Sequence, residues 1–219
     1  MEELALASIQ GRPPLVLFLG AHCDDIEIGC GGTILRLREA RPDADLRWVI
    51  LSSNEERRRE VRASAACFLG DEAAERIVVQ SFRDGFLPYH GGEVKDFFEH
   101  LKRELQPDLI FSHCRDDRHQ DHRLVCELTW NTWRNHLILE YEIPKYDGDL
   151  GQPNAYVPLR AAQVERKVKT LLEAYPSRAV HEWFDEETLR GILRLRGVES
   201  NAPERYAEAF YARKLVLAV

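Results

Sequence analysis

The feature that most limits the fold of this chain is a run of five apolar residues, Leu15 to Leu19, which ends at Gly20. A run without alternating polar residues is typical of a strand that is buried on both faces, as in a parallel sheet covered by helices. His22, Asp24 and Asp25 follow almost at once. The sequence therefore predicts a buried strand whose carboxyl end carries polar groups.

Runs with strand character alternate with segments of helical periodicity along most of the chain. The predicted elements, in chain order, are strand 15–19, helix 33–39, strand 46–51, helix 55–69, strand 76–79, helix 94–105, strand 109–111, helix 119–133 and strand 137–139. Such alternation predicts an α/β fold of the Rossmann-like, doubly wound type, with a mostly parallel sheet and helices on both faces. A chain of 219 residues fits one such domain, residues 1–219, because single cores split only beyond roughly 250 residues.

The last third of the chain departs from this alternation. Residues 144–158 are rich in Gly, Pro and Asp, which predicts a long loop rather than a sheet element. Helices are predicted at 161–174, at 186–194 and near 204–212, and the apolar run 215–219 is a candidate for a last strand. Long loops often carry function, but a solvated loop is the simpler interpretation of residues 144–158.

Charge and apolar content exclude several classes of protein. The formal net charge of −7 argues against a nucleic-acid partner. No apolar run reaches the roughly 18 to 20 residues of a membrane helix, and no basic stretch leads into an apolar signal core, so we expect a cytoplasmic protein with no membrane span. The five cysteines include no CxxC pair, which gives no sign of a disulfide framework or a thiolate zinc site. The sequence leaves homo-oligomerisation open.

The loop after the first strand reads AHCDDIE from Ala21 to Glu27. Adjacent side chains such as Asp24 and Asp25 cannot easily point the same way, so one can bind an ion while its neighbour faces a substrate. His22 and Asp25, three residues apart, can converge in a tight turn. A pair of aspartates alone is most often a charged helix start, but the neighbouring histidine favours a functional site.

A second cluster, from Asp117 to His122, follows the predicted strand 109–111 and opens a helix. His119 and His122 share one helical face, a spacing that can hold a metal, although capping or surface positions are the alternative. Asp121 can orient one imidazole by accepting a hydrogen bond from its second ring nitrogen. In a sheet of order 3-2-1-4-5 the first and fourth strands are neighbours, and ligands bind beyond their carboxyl ends. This order, which we assume, brings the two clusters together.

Two histidines and one carboxylate leave open positions around a metal ion, which is the arrangement of catalytic rather than structural zinc. An ion of this kind can activate a water molecule and polarise a carbonyl group. The same ligands also suit non-haem Fe²⁺. The sequence therefore indicates a metal site more firmly than it indicates Zn²⁺.

Both clusters carry motifs of a known family. The segment from Ala21 to Thr33 (AHCDDIEIGCGGT) is similar to the motif AHPDDE followed by Gly-Gly-Thr, and residues 117–122 match D-x-H-x-D-H in full. The chain thus resembles the PIG-L/LmbE-type zinc N-deacetylases, the group that includes N-acetylglucosaminyl-phosphatidylinositol de-N-acetylases. Further similarity lies in residues 57–70 and in the YAEAF segment at 206–210, and one departure is Cys23 in place of the usual proline.

The resemblance implies a site with divided roles. Zinc would be bound by His22, Asp25 and His122, with Asp24 as the general base. His119 would stabilise the oxyanion or protonate the leaving amine, and Asp121 would hold it. The implied activity is hydrolysis of the N-acetyl group of an amino sugar of N-acetylglucosamine type or of its conjugate.

Several residues keep alternative interpretations. Gly29, Gly31 and Gly32 follow a strand and open a helix, as in nucleotide-binding Rossmann proteins, but nearby acids oppose a pyrophosphate and a tight turn explains the glycines better. Arg57 either contacts an anionic substrate group or lies on a solvated helix face. Asp84 either turns the chain or binds a sugar hydroxyl. The rival functions are a metal-dependent amidase or esterase on another small substrate and a nucleotide-binding module without catalysis.

Overall fold

The computed structural model describes residues 12–216 of the chain. They form one seven-stranded sheet with the order β3-β2-β1-β4-β5-β7-β6. Its strands are β1 (Leu15–Gly20), β2 (Asp45–Ser52), β3 (Ile77–Phe82), β4 (Leu109–His113), β5 (Leu137–Tyr141), β6 (Ala155–Leu159) and β7 (Tyr206–Ala212). The first five strands are parallel, and β7 pairs antiparallel with both β5 and β6.

Helices cover both faces of this sheet. They are α1 (Asp25–Ala40), α2 (Glu55–Leu69), the short α3 (Ala73–Arg76), α4 (Gly91–Glu104), α5 (Gln120–Thr132), α6 (Ala161–Ala174) and α7 (Glu186–Glu199). In β1, Val16 and Phe18 belong to a core shared with α1, α2, α6 and α7, whereas Leu17 and Leu19 belong to a core shared with α4 and α5. The predicted α/β class and the assumed order of the first five strands are confirmed. Within residues 12–216, no helix is both long enough and apolar enough to cross a membrane.

Two segments in the last third differ from the prediction. Residues 206–212, expected within a helix near 204–212, form β7, and residues 155–158, the end of the expected loop 144–158, form most of β6. Alanines give β7 some helical propensity, but its backbone pairs with β6 on one edge and β5 on the other, which outweighs that preference. In the expected terminal strand 215–219, residues 215 and 216 lie outside regular structure, and 217–219 lie outside the described residues.

Helix α1 begins eight residues earlier than the predicted helix 33–39. Its glycines suggested a turn because glycine has low helix propensity. Inside α1, however, a Cβ on Gly29 would lie 2.3 Å from the Tyr141 ring, and one on Gly32 would lie 2.4 Å from Leu159. The glycines therefore allow close packing of the helix, and the tight-turn interpretation is wrong. The same packing removes the basis for a phosphate-cradling loop.

Candidate active site

Two polar loops meet at one edge of the sheet. The loop between β1 and α1 carries His22 and Asp24, and the loop between β4 and α5 leads to His122 in the first turn of α5. Because β1 and β4 are adjacent and parallel, the loops at their carboxyl ends lie side by side. His22 Nδ1 lies 3.2 Å from His122 Nε2. The structure therefore brings the two predicted motifs into one cluster.

Three side chains direct possible metal ligands toward each other. His22 Nδ1 is 3.3 Å from Asp25 Oδ2, and His122 Nε2 is 3.6 Å from Asp25 Oδ1. All three residues are buried. Ligand atoms about 2.0 to 2.1 Å from a tetrahedral zinc ion lie roughly 3.4 Å apart, so both the spacing and the donor types fit one divalent ion. This is the ligand set that the resemblance implies.

The second ring nitrogen of each ligand histidine contacts a carboxylate. His122 Nδ1 lies 2.9 Å from Asp117 Oδ2, and His22 Nε2 lies 3.2 Å from Asp121 Oδ2 and 3.1 Å from Asp84 Oδ1. A ring N–H that donates to a carboxylate leaves the lone pair of the other nitrogen facing the ligand cluster. These contacts hold His122 in the tautomer that presents Nε2 to the cluster, and they would hold His22 in the matching tautomer once its Nδ1 proton is lost.

The electrostatics of the cluster favour metal ligation. Burial, together with the nearby charge of His113, lowers the pKa of His122 to about 4. Burial alone would raise the pKa of Asp25, but the surrounding histidines hold it well below its usual range. Burial likewise opposes protonation of His22, yet the Asp25 charge and three carboxylate contacts raise its pKa well above the usual value. A metal ion at His22 would therefore replace a proton.

His119 borders the cluster and is only half-buried. Its Nδ1 accepts a hydrogen bond from the backbone N–H of Asp121 at 3.2 Å, which caps the start of α5. The ring lies edge-on to His22, with centroids 4.8 Å apart. Burial and the charge of His22 lower the pKa of His119. At neutral pH its imidazole is neutral, and its Nε2–H is the ring donor.

Asp121 makes different contacts from those that the resemblance implies. Its carboxylate accepts hydrogen bonds from the backbone N–H groups of Gly85 at 2.7 Å and Leu87 at 3.1 Å, besides the contact with His22. The side chain of the adjacent Gln120 donates to the Gly85 carbonyl at 3.1 Å. The carboxylate therefore orients His22 and holds the loop after β3, while Asp121 reaches the His119 ring through its backbone amide.

Asp24, the base implied by the resemblance, is completely buried. Its Oδ1 accepts a hydrogen bond from Arg57 Nη2 at 2.6 Å, and its Oδ2 accepts one from Arg178 Nε at 2.6 Å. Arg57 also donates to Ser177 Oγ at 3.0 Å, and its side chain is only 14% exposed. The solvated-face interpretation of Arg57 is therefore wrong, because this arginine is an internal partner of Asp24.

Asp84 lies at the rim of the cluster. Its side chain is 73% exposed, although Oδ1 reaches His22 Nε2. The hydrogen bond to His22 lowers the pKa of Asp84 to about 2. Asp84 follows β3 and precedes the Gly85 and Leu87 amides that bond Asp121. This part of the chain places the ionised carboxylate between solvent and the buried histidines. Its position fits contact with a ligand better than a purely turn-forming role.

Two cationic residues of the site carried no signal in the sequence. Arg178 lies in a 3-10 turn, Pro176–Arg178, that is remote from both motifs in sequence. Lys145 lies in the long segment 144–158, and its Nζ is 3.0 Å from Asp117 Oδ2. Lys145 thereby contacts the carboxylate that supports a ligand histidine. His113, the last residue of β4, is fully buried, and its Nε2 lies 3.2 Å from Asp25 Oδ2.

Known proteins share this fold. N,N'-diacetylchitobiose deacetylase from Pyrococcus horikoshii is 26% identical, with a TM-score of 0.69 and coverage of 90% of this chain and 82% of that chain. The conserved protein TT1542 from Thermus thermophilus is 23% identical, with a TM-score of 0.71 and coverage of 93% and 96%. The zinc-inhibited form of teicoplanin deacetylase Orf2 is 15% identical, with a TM-score of 0.68 and coverage of 90% and 97%.

A family model provides independent evidence. The model described as PIG-L, GlcNAc-PI de-N-acetylase, matches residues 17–133, which is more than half of the chain. The matched span runs from β1 to the end of α5 and contains both motifs of the cluster. This protein belongs to the PIG-L family of GlcNAc-PI de-N-acetylases.

Proposed function

We propose that this protein is a metal-dependent deacetylase that hydrolyses the N-acetyl group of an amino sugar or of its conjugate. The observation that carries the proposal is the convergence of His22 Nδ1, His122 Nε2 and the Asp25 carboxylate within 3.2 to 3.6 Å of each other. Membership of the PIG-L family supports the reaction type. The matched deacetylase of diacetylchitobiose, an N-acetylated amino sugar, supports the substrate class.

We propose Zn²⁺ as the metal, because two imidazoles and one carboxylate form a catalytic zinc set, with Fe²⁺ as the alternative. When bound, the ion supplies a Lewis acid that lowers the pKa of water and polarises the amide carbonyl. His22, Asp25 and His122 would hold it. Asp117 and Asp121 would orient the two histidines through their second ring nitrogens.

Asp24 would transfer the proton, and His119 would stabilise the oxyanion. Each carboxylate oxygen can accept about two hydrogen bonds, and Asp24 Oδ2 accepts one, from Arg178. That oxygen can therefore take the proton of the water that attacks the acetyl carbon. The neutral His119 can donate a hydrogen bond from Nε2–H to the developing oxyanion. The proton that Asp24 takes from the water can then pass to the departing amine. Asp84 at the rim would accept hydrogen bonds from sugar hydroxyls.

The proposal is tested by acetate release together with metal analysis. Purified protein is assayed with N-acetylglucosamine, N,N'-diacetylchitobiose and nucleotide-linked N-acetylglucosamine. We expect one metal-binding site, loss of activity with a chelator, and recovery with Zn²⁺. Asp24→Asn should reduce kcat by roughly 10² to 10⁴-fold, the usual contribution of general base catalysis.

The matched variants are His122→Ala, which removes a ligand, and His100→Ala, which removes an exposed histidine of α4. His122→Ala should lose both metal and activity, whereas His100→Ala should keep both. Undiminished acetate release by His122→Ala would contradict the proposal. If the protein hydrolysed only a different amide or ester, the proposed metal site would stand and the proposed substrate class would be wrong.

A further inference from the structure

Both carboxylate oxygens of Asp24 are held by guanidinium groups. Arg178 contacts the two oxygens together, since its Nε donates to Oδ2 at 2.6 Å and its Nη2 donates to Oδ1 at 3.2 Å. Arg57 donates to Oδ1 alone. A two-point contact restricts rotation of a carboxylate about its Cβ–Cγ bond, whereas a one-point contact does not. Arg178 therefore determines which way the Asp24 oxygens face.

Buried contacts fix the 3-10 turn that carries Arg178. The hydroxyl of the buried Tyr175 contacts the backbone carbonyl of Cys23, inside the loop that carries the proposed metal ligands, and the Glu27 carboxyl group, and it donates its single proton to one of them at a time. Ser177 donates to the Glu60 carboxylate from its amide at 2.9 Å and from its hydroxyl at 2.7 Å. The turn is thus attached to the ligand loop on one side and to α2 on the other, so that its arginine enters the site in a defined position.

The remaining contacts of Arg178 leave little of its guanidinium group for a substrate. Nη1 lies 3.3 Å from His181 Nε2, and the side chain is 21% exposed. The other two nitrogens contact Asp24. Each nitrogen of the guanidinium group thus has a partner inside the protein, which favours an action of Arg178 through Asp24 over a direct contact with the acetyl group.

We infer that Arg178 is the positioning residue for the general base, orienting Asp24 so that Oδ2 faces the attacking water. The inference rests on the proposed deacetylase function, because it assigns Asp24 the role of base. The inference predicts that a change at Arg178 affects kcat and KM differently. Loss of the guanidinium group should reduce kcat, since the base is misoriented, and should leave KM and metal binding nearly unchanged, since the substrate contacts and metal ligands are intact.

The experiment compares Arg178→Ala and Arg178→Lys with the control Arg190→Ala, which removes a surface arginine paired with Glu165 and Glu186. Arg178→Ala should reduce kcat by roughly 10- to 100-fold, as expected for a misplaced catalytic group. Arg178→Lys should be intermediate, because an ammonium group lacks the planar two-point contact. Free guanidinium ion at concentrations that do not unfold the wild type should restore part of the kcat of Arg178→Ala. It should not accelerate Arg190→Ala.

Three results overturn the inference alone. A raised KM with unchanged kcat makes Arg178 a substrate contact. Loss of metal or of folding in both Arg178 variants, without guanidinium rescue, makes it a structural residue. An unchanged kcat in Arg178→Ala would show that Arg178 does not position Asp24, whereas the proposed deacetylase function would stand. A wild-type protein that binds metal and releases no acetate from any substrate overturns the proposed function itself, and this role with it.

Discussion

Helix α1 passes two buried clusters of charge that differ in construction. In its first turn, Asp25 lies among three histidines, with ring nitrogens and carboxylate oxygens facing one another. About two turns later, the amides of Gly32 and Thr33 donate to the Glu208 carboxylate, and Lys167 is the counter-ion of Glu208. The first cluster gathers the proposed metal ligands, and the second pairs opposite charges.

The Lys167–Glu208 cluster is closed to solvent and satisfied internally. The two side chains are 1% and 2% exposed, and Lys167 Nζ lies 2.7 Å from Glu208 Oε1. Lys167 Nζ also donates to the Ile28 carbonyl at 2.6 Å. In a regular α-helix the Ile28 carbonyl accepts a hydrogen bond from the Gly32 amide. Here the Ile28 carbonyl also bonds Lys167, and the Gly32 amide also bonds Glu208. Hydrogen bonds to both members of the pair are what a buried ion pair requires to persist.

The cluster around Asp25 is different because acceptors from several residues converge on one position. The His122 ring contacts Asp117 through Nδ1 and presents the lone pair of Nε2, and this lone pair and the Asp25 carboxylate both face His22 Nδ1, which keeps a proton until a metal ion replaces it. A cation satisfies such a group of lone pairs, and the half-buried His119 and the exposed Asp84 connect it to solvent. We therefore expect buried titratable groups to be structural where opposite charges pair with each other, and functional where possible metal-ligand atoms converge beside an opening to solvent.

The largest expected effect on stability comes from breaking the closed pair. Glu208→Gln should lower the free energy of unfolding by about 3 to 5 kcal/mol, because it leaves the Lys167 charge buried without a counter-ion. Urea denaturation measures the change. Adding Lys167→Met on the same background should recover part of the loss, since the uncompensated charge is gone. A loss below about 1 kcal/mol in Glu208→Gln, the range of an exposed pair, would contradict the structural role.

Zinc binding separates the two clusters in the same experiment. A ligand that binds only the folded state raises the melting temperature, so Zn²⁺ should raise the Tm of the wild type and of Glu208→Gln by similar amounts. Asp25→Asn should lose this rise, because it removes the charged ligand. An Asp25→Asn protein that Zn²⁺ still stabilises as strongly as the wild type would contradict the ligand assignment.

The sequence indicates the functional cluster better than the structural one, for a physical reason. The ligand residues lie in two short motifs at the ends of neighbouring strands, so local pattern and strand order suffice to bring His22 and His122 together. Lys167 and Glu208 lie on α6 and β7, whose contact depends on the packing of the last third of the chain. Arg178 was missed for the same reason, since its turn reaches the site only through long-range packing.

The extent of α1 illustrates a second limit of the sequence. Three glycines within four residues predicted a turn by their intrinsic preference, whereas the helix continues through them because Tyr141 and Leu159 occupy the positions of the missing Cβ atoms. Tertiary contacts of this kind have no local signature. The helical interpretation of residues 204–212 failed similarly, because strand pairing overrides alanine's helical propensity.

Glu27 extends the comparison, because this buried acid of α1 contacts neither a proposed metal ligand side chain nor a counter-ion among residues 12–216. Burial raises its pKa to about 8, and hydrogen bonds from Ser64 and Tyr175 lower it by less. The unfolded chain ionises this group near pH 4.5, so the wild type loses stability relative to a neutral isostere as the pH rises from about 4.5 to 8.

Glu27→Gln should therefore gain stability over the wild type as the pH rises, by about 3 kcal/mol between pH 4.5 and pH 7. Thermal unfolding of both proteins at pH 5 and pH 8, with metal removed, measures the change in their difference. Glu173→Gln, at an exposed position of α6, is the control and should show no comparable trend. A difference between wild type and Glu27→Gln that does not vary with pH would show that Glu27 ionises normally in the folded protein.

The smallest effect is expected at Cys23, which replaces the proline usual in the motif and lies between a metal ligand and Asp24. The thiol is fully buried, its Sγ lies 3.5 Å from the Ser52 carbonyl, and burial raises its pKa to about 12. A thiol that stays protonated is neither a metal ligand nor a nucleophile. Cys23→Pro should therefore change metal content and kcat by no more than about twofold, with a small gain in loop stiffness. Cys67→Ser, at an exposed cysteine, is the control, and a much larger effect at Cys23 would mean that the thiol takes part in positioning the ligand loop.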